Sequence, residues 1–116
     1  MRQLEGIISD RGSKYSVSGG VVTDVDAAKE FIKALKKNKK YAKATHNTWA
    51  VVFSDGDAIK NDDGEAGAGN VILRMLEREG VQDHIIVVTR WFGGKHLGGD
   101  RFRHVQTCVR EYFAAL

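Results

Sequence analysis

Three short stretches carry the residues whose types and spacing could do chemistry. The first is Ala44-Thr45-His46-Asn47, where His46 stands in a polar context just ahead of a strand pattern. A histidine there suits hydrogen bonding or acid–base work; a ring satisfied by backbone at the strand entry is the alternative. The second is Asp62-Asp63-Gly64-Glu65. Three carboxylates in four residues could hold a divalent cation through oxygen. The spacing is not that of an EF-hand, which spreads its ligands over about twelve residues. Adjacent side chains of an extended segment also point to opposite faces. A turn that places negative charge ahead of a helix fits the same residues.

The third stretch runs from Arg90 through Gly93-Gly94-Lys95-His96-Leu97-Gly98-Gly99-Asp100-Arg101. Two glycine pairs allow close backbone approach, and a helix start behind them offers free N–H groups. With Lys95 and Arg101 the loop could cradle a phosphate or an acidic peptide. It matches neither a P-loop nor a dinucleotide fingerprint. A structural turn with Asp100 as helix N-cap is the alternative, and it gives Arg90, Lys95 and Arg101 no role. Cys108 falls mid-helix beside Val109 and reads as a small buried hydrophobe. His84, His96 and His104 show no metal-ligand spacing with it. No nucleophile–base pair is evident, which argues against hydrolase chemistry.

The elements that must position these residues follow from periodicity. Ile85–Val88 are four β-branched residues leading into Thr89-Arg90-Trp91-Phe92. A continuous run of this kind reads as a strand covered on both faces. Upstream, residues 3–9 form a weak strand, Asp10-Arg11-Gly12-Ser13 a turn, and about 14–22 a half-buried strand. Thr23, with Asp26 three later, predicts a capped helix whose Ala28, Phe31, Ile32 and Leu35 share one face. That helix runs into a segment rich in lysine, Lys36–Lys43. Thr48–Phe53 is a strand, and Ala58–Asn61 pairs back on it through Ser54-Asp55-Gly56-Asp57. A second helix starts near Ala66–Gly69 and ends at Gly80. A third buries Phe102, Val105, Val109, Tyr112 and Phe113. The order β-β-α-β-β-α-β-α, with a single apolar stripe on every helix, predicts an α+β fold. Its expected form is a two-layer mixed sheet with helices on one face.

The 116 residues suit one domain, residues 1–116, with 42% hydrophobic and 28% charged side chains. No apolar run approaches a membrane span, and the first residues have no signal-peptide pattern. With one cysteine, an intracellular, cytoplasmic setting is expected. The net charge of +3 is too small to argue nucleic-acid binding by itself. Lys33, Lys36, Lys37, Lys39, Lys40 and Lys43 cluster, and read as a solvated face.

Five segments stand in a particular order and spacing: DRGS at 10–13, KATHNTWA at 43–50, DDGEAGAG at 62–69, VVTRWFGG at 87–94 and LGGDRFRHV at 97–105. Together they resemble the IMPACT family of translation regulators, specifically its C-terminal domain, over about residues 10–113. The Asp-Arg-Phe form of the last segment resembles the eukaryotic branch, and the bacterial relatives are the YigZ-like proteins. The resemblance implies a left-handed β-α-β architecture, like that of domain two of small-subunit ribosomal protein five (S5) and of elongation factor G domain four. It implies a protein-binding regulator rather than an enzyme, with no cofactor and no metal. The implied partner is the ribosome-associated activator of the starvation-responsive kinase of initiation factor two alpha, with actin as another. An RWD domain accompanies this domain in eukaryotic members and a ferredoxin-like domain in bacterial ones; neither lies within these residues.

The expected binding groove is built from Thr45, His46 and Asn47, from Asp62, Asp63 and Glu65, and from Arg90, Gly93, Gly94, Lys95, Gly98, Gly99, Asp100 and Arg101. Its acidic part would select basic partner groups, and Arg90 and Arg101 acidic ones. Binding of RNA or the ribosome through Lys33–Lys43 with Arg101, Arg103 and Arg110 is a second expectation. A hydrolase using His46 with Asp63 or Glu65 is a third, requiring those side chains within hydrogen-bond reach.

Overall fold

A computed structural model describes residues 1–116. The chain begins with β1 (Arg2–Asp10) and β2 (Ser13–Val21), an antiparallel hairpin. Its two-residue turn, Arg11-Gly12, has positive φ at both positions, the backbone that matches strand twist in tight hairpins. Helices α1 (Val25–Leu35) and α2 (Lys39–Ala42) follow, then a second hairpin of β3 (His46–Val52) and β4 (Ala58–Asn61). Helix α3 (Ala68–Glu79), strand β5 (His84–Trp91) and helix α4 (Asp100–Ala114) complete the chain. No helix is long and apolar enough to cross a membrane.

The sheet order is β1-β2-β5-β3-β4, so β5 lies between the two hairpins and joins them. The α+β class holds. Two finer features differ from expectation. First, every neighbouring pair of strands is antiparallel, so the sheet is not mixed. Second, the helices do not share one face. Along β5, Ile86 and Val88 pack with Ala68, Ile72 and Leu76 of α3 and Val105 and Val109 of α4. Ile85 and Val87, pointing the other way, pack with Ala28 and Leu35 of α1 and Tyr41 of α2. Strand β3 divides in the same manner, Ala50 to one core and Trp49 and Val51 to the other. The continuous apolar run of β5 therefore has its physical reason: both faces are covered, and Ile85–Val88 are at most 2% exposed.

Local signals account for the helix ends. Asp24, one residue after Thr23, caps α1 by accepting from the Ala27 amide at 2.7 Å. Gly99 rather than Asp100 precedes α4, with no side-chain cap. The α3 start has no cap of its own at Gly67. Asp62 serves instead, its carboxylate accepting from the amides of Gly67 at 3.0 Å and Gly69 at 2.8 Å. Gly80, in the left-handed region, ends that helix as expected.

Candidate functional site

One row across the sheet forms the floor of a groove. Tyr15 of β2 pairs with Arg90 of β5, and Arg90 pairs with His46 of β3, so the three are cross-strand neighbours on the face that carries α3 and α4. The next row, Ser16, Thr89 and Asn47, faces the other way. There Thr89 Oγ1 donates to the Asn47 side-chain oxygen at 2.7 Å, and Asn47 Nδ2 donates to the Tyr41 carbonyl at 3.1 Å. Strand alternation thus splits each motif: His46 and Arg90 serve the groove, and Asn47, Thr89 and Trp91 tie down α2.

Over the floor lies the β4–α3 connection. Asp63 has φ +48 and Gly64 φ +86, a left-handed pair that an aspartate and a glycine tolerate. The reversal swings Glu65 inward, where it is 4% exposed beside Arg90, itself 5% exposed. Arg90 Nη1 donates to Glu65 Oε1 at 2.7 Å. Glu65 Oε2 stands 3.4 Å from His46 Nε2 and 4.0 Å from Arg101 Nη1. The His46 ring is oriented from behind by Nδ1, 2.8 Å from the Asp63 carbonyl. A carbonyl only accepts, so Nδ1 carries a proton.

Behind the groove, the β1–β2 turn packs against the loop after β5. Ser13 Oγ accepts from Arg90 Nε at 3.4 Å, Arg90 Nη2 at 3.3 Å and the Gly93 amide at 3.3 Å. The two backbones cross at Gly12 and Gly93, so closely that a Cβ on Gly93 would fall onto the Gly12 main chain. The turn is also tied to α4. Arg11 donates to Asp100 at 2.6 Å, and His104 Nε2 sits 2.7 Å from Asp10. Arg11 first and His104 second hold the Asp10 carboxyl down at about 2. The Phe92 amide donates to Thr45 Oγ1 at 2.9 Å, closing the groove at the β3 entry.

The resulting cavity measures about 450 Å³. Of the expected residues, Thr45, His46, Glu65, Arg90, Gly98 and Arg101 line it. So all three segments contribute, but not every residue in them does. Asn47 lies on the opposite face; Gly93, Gly94, Lys95, Gly99 and Asp100 lie outside the lining. The acidic part is engaged internally: Asp62 caps α3, one Asp63 oxygen accepts from the Asn47 amide at 2.7 Å, and Glu65 holds Arg90.

Gly64, Phe92, His96 and Leu97, which fall within the expected segments without being singled out there, also line the cavity, and Ser13, read only as part of a turn, braces Arg90. Phe92 is 42% exposed, lies 5.6 Å from the Arg90 guanidinium and packs against the His96 ring. An aromatic at a strand end followed by two glycines was the available signal for it. Lysines 33–43 accompany α1 and α2, whereas Arg103 and Arg110 are on α4 across the sheet, so they form no single basic surface. Cys108 is fully buried, and burial pushes its thiol up to about 12. The remaining histidine, His84, bonds the Tyr112 hydroxyl at 2.6 Å, far down β5 from the groove.

Comparisons with known proteins agree with this architecture. The family profile described as the Impact N-terminal domain matches residues 11–113. Protein IMPACT of Rattus norvegicus is 38% identical over 109 residues, 90% of this chain and 34% of that protein. The Protein IMPACT homolog of Saccharomyces cerevisiae is 38% identical over 110 residues, 90% of this chain and 42% of that one. The chain therefore spans about a third to two fifths of the length of these relatives. The crystal structure of a hypothetical protein, 24% identical, superposes with a TM-score of 0.83 over 97% of this chain and 57% of the other. The structure of the two-domain translational regulator Yih1, 36% identical, gives 0.57 over 93% of this chain and 44% of the other. A profile match across nearly the whole chain, relatives of this identity and a shared fold together show that the chain belongs to the IMPACT family.

Proposed function

We propose that this domain is a non-enzymatic regulator of translation that works by binding protein in the cytoplasm. Its partner is the ribosome-associated activator of the starvation-responsive kinase of initiation factor two alpha, with actin as another protein within the family's reach. The observation that carries the reading is the groove itself. Glu65 and Arg90 are buried and bonded to each other, while Phe92 and Arg101 stand exposed at its rim. A fixed polar floor with an aromatic and a charge at the edge is what a binding surface requires. Support also comes from relatives named IMPACT and from Yih1, described as a translational regulator.

His46 does lie within reach of a carboxylate, as a hydrolase would need. However, that carboxylate is held by Arg90, and no hydroxyl or thiol is bonded to the His46 ring. The geometry favours recognition over acid–base catalysis.

The test is capture from lysate, with and without nuclease treatment, on immobilised wild-type domain, compared with Phe92→Asp. The expected result is recovery of the kinase activator by the wild type and its loss with Phe92→Asp. Recovery of ribosomal material only, abolished by nuclease, would replace this reading with RNA binding.

A further inference from the structure

We infer that the groove reads an acidic group on the partner, seating a carboxylate or phosphoryl oxygen against Arg101 beside Phe92. The inference rests on the protein-binding reading and names the chemistry of the segment that enters.

Arg101 is the groove arginine with the looser partner. Arg90 is matched by Glu65, whose Oε1 takes its Nη1 at 2.7 Å. The nearest carboxylate oxygen to Arg101 is 4.0 Å away, beyond a hydrogen bond. Arg101 Nε is buried and has no acceptor at all, although the side chain as a whole is 36% exposed. That donor is sealed from solvent, so an incoming oxygen meets the exposed part of the guanidinium instead. Other acids nearby are committed. Asp100 is bonded by Arg11 and Arg103, and Asp63 has an oxygen on the Asn47 amide.

The guanidinium is held in place. Its Cζ lies 4.7 Å from the Phe102 ring centre, a cation–π contact that favours this orientation. The opening amides of α4 do not supply the site. Those of Asp100, Arg101 and Phe102 turn back onto the carbonyls of Leu97, Gly98 and Gly99. Recognition therefore falls to the side chain.

The occupant is a peptide rather than a nucleic acid. One loosely partnered cation matches one anionic group, and a phosphate backbone demands a stripe of them. The Lys33–Lys43 cluster belongs to the opposite face, and Lys95 lies outside the cavity lining. Phe92, 42% exposed next to His96, gives a flanking apolar residue a surface to cover. A cavity of about 450 Å³ admits one or two side chains.

The experiment is an NMR titration of the labelled domain with capped hexapeptides of sequence Gly-Leu-Glu-Glu-Phe-Gly. In a second peptide phosphoserine replaces the first glutamate, and in a third both glutamates are glutamine. Inorganic phosphate alone is a fourth arm. At least one anionic peptide is expected to shift the Arg101 Nε–H signal and the Gly98 and Phe92 amides. Whichever binds more tightly identifies the anion. Arg101→Gln should weaken it at least tenfold, roughly the value of one charge-assisted hydrogen bond, and Arg110→Gln should leave it unchanged. Equal binding of the glutamine peptide, shifts confined to Lys33–Lys43, no shifts at millimolar peptide, or phosphate alone matching the peptides would each overturn the inference. Because the wild-type shifts locate the site directly, a poorly folded variant does not blunt the test. If partner capture persists undiminished in Arg101→Gln, this inference fails and the regulatory reading stands. If an anionic peptide binds through Arg101 but no activator is captured, the reverse holds.

Discussion

Replacing Glu65 with alanine is the sharpest test of how the groove is held. In the native protein Arg90 is 5% exposed, and its one short hydrogen bond is the 2.7 Å contact to Glu65. Its remaining protein partner, Ser13 Oγ, is long at 3.3 and 3.4 Å. Glu65→Ala leaves a buried guanidinium almost unpaired. Breaking a buried pair from one side costs about 3–5 kcal/mol. The groove opens to solvent and lets water reach the vacated space, so the lower end, about 3 kcal/mol, is expected. For a domain of this size that is a fall of roughly 10–15 °C in melting temperature. Glu65→Gln, which keeps an acceptor but not the charge, should cost about half as much. The double variant Glu65→Leu/Arg90→Met removes both charges, and should return to within about 1 kcal/mol of wild type. Urea unfolding with an unchanged slope is the assay. A loss under about 1 kcal/mol for Glu65→Ala, or a double variant no better than the single one, would refute the idea that this pair holds the β4–α3 connection against the sheet.

Three further outcomes are expected. Gly93→Ala should destabilise by at least about 2 kcal/mol because its methyl meets the Gly12 backbone, whereas Gly94→Ala, in open space at φ +91, should cost about 1 kcal/mol; urea melts of the two compare them. Cys108 should resist alkylation at pH 8 in the folded protein and react freely in denaturant, since burial lifts its thiol to about 12. Burial also lowers the His84 pKa, so the folded state takes up a proton less readily than the unfolded chain, whose ordinary value is 6.5. Its contribution therefore favours unfolding as pH falls below 6.5, and melting temperatures between pH 7 and 5 should fall less in His84→Gln than in wild type.

Much of this was legible in the residues. Period-two and period-3.6 patterns placed every strand and long helix, because burial on one stripe leaves a local mark. The four-residue α2 left none beyond Tyr41. Which face a helix covers is not a local property. The stripe of α1 says that it packs, and nothing in residues 25–35 says on which side. The apolar run Ile85–Val88 did imply two covered faces, and that requirement outranked the single stripes of the helices. In the site, convergence of three segments followed from polar and glycine residues gathering at element ends. The bracing of Arg90 by Ser13 joins positions 77 apart, and the His104–Asp10 contact positions 94 apart. Such pairings depend on strand order, which periodicity does not encode. Asp62 could be read as cation ligand or as turn, since a capping carboxylate and a metal-binding one look alike until the amides of Gly67 and Gly69 are placed.

The position of β5 has a bearing on how the chain acquires its structure. The β1–β2 and β3–β4 hairpins share no hydrogen bonds with each other; each is complete locally, and only β5 bridges them. A nascent chain that has emerged as far as α3 thus holds two isolated hairpins, which are marginal in water by themselves. Arrival of residues 84–91 zips both together, creates both cores and sets Arg90 between Tyr15 and His46 in one event. Formation of the sheet therefore waits for residues 84–91 and is strongly cooperative. Strand pairings this distant in sequence point to refolding on a millisecond-to-second scale. The groove and the fold appear together, so the domain has no stable form in which one exists without the other.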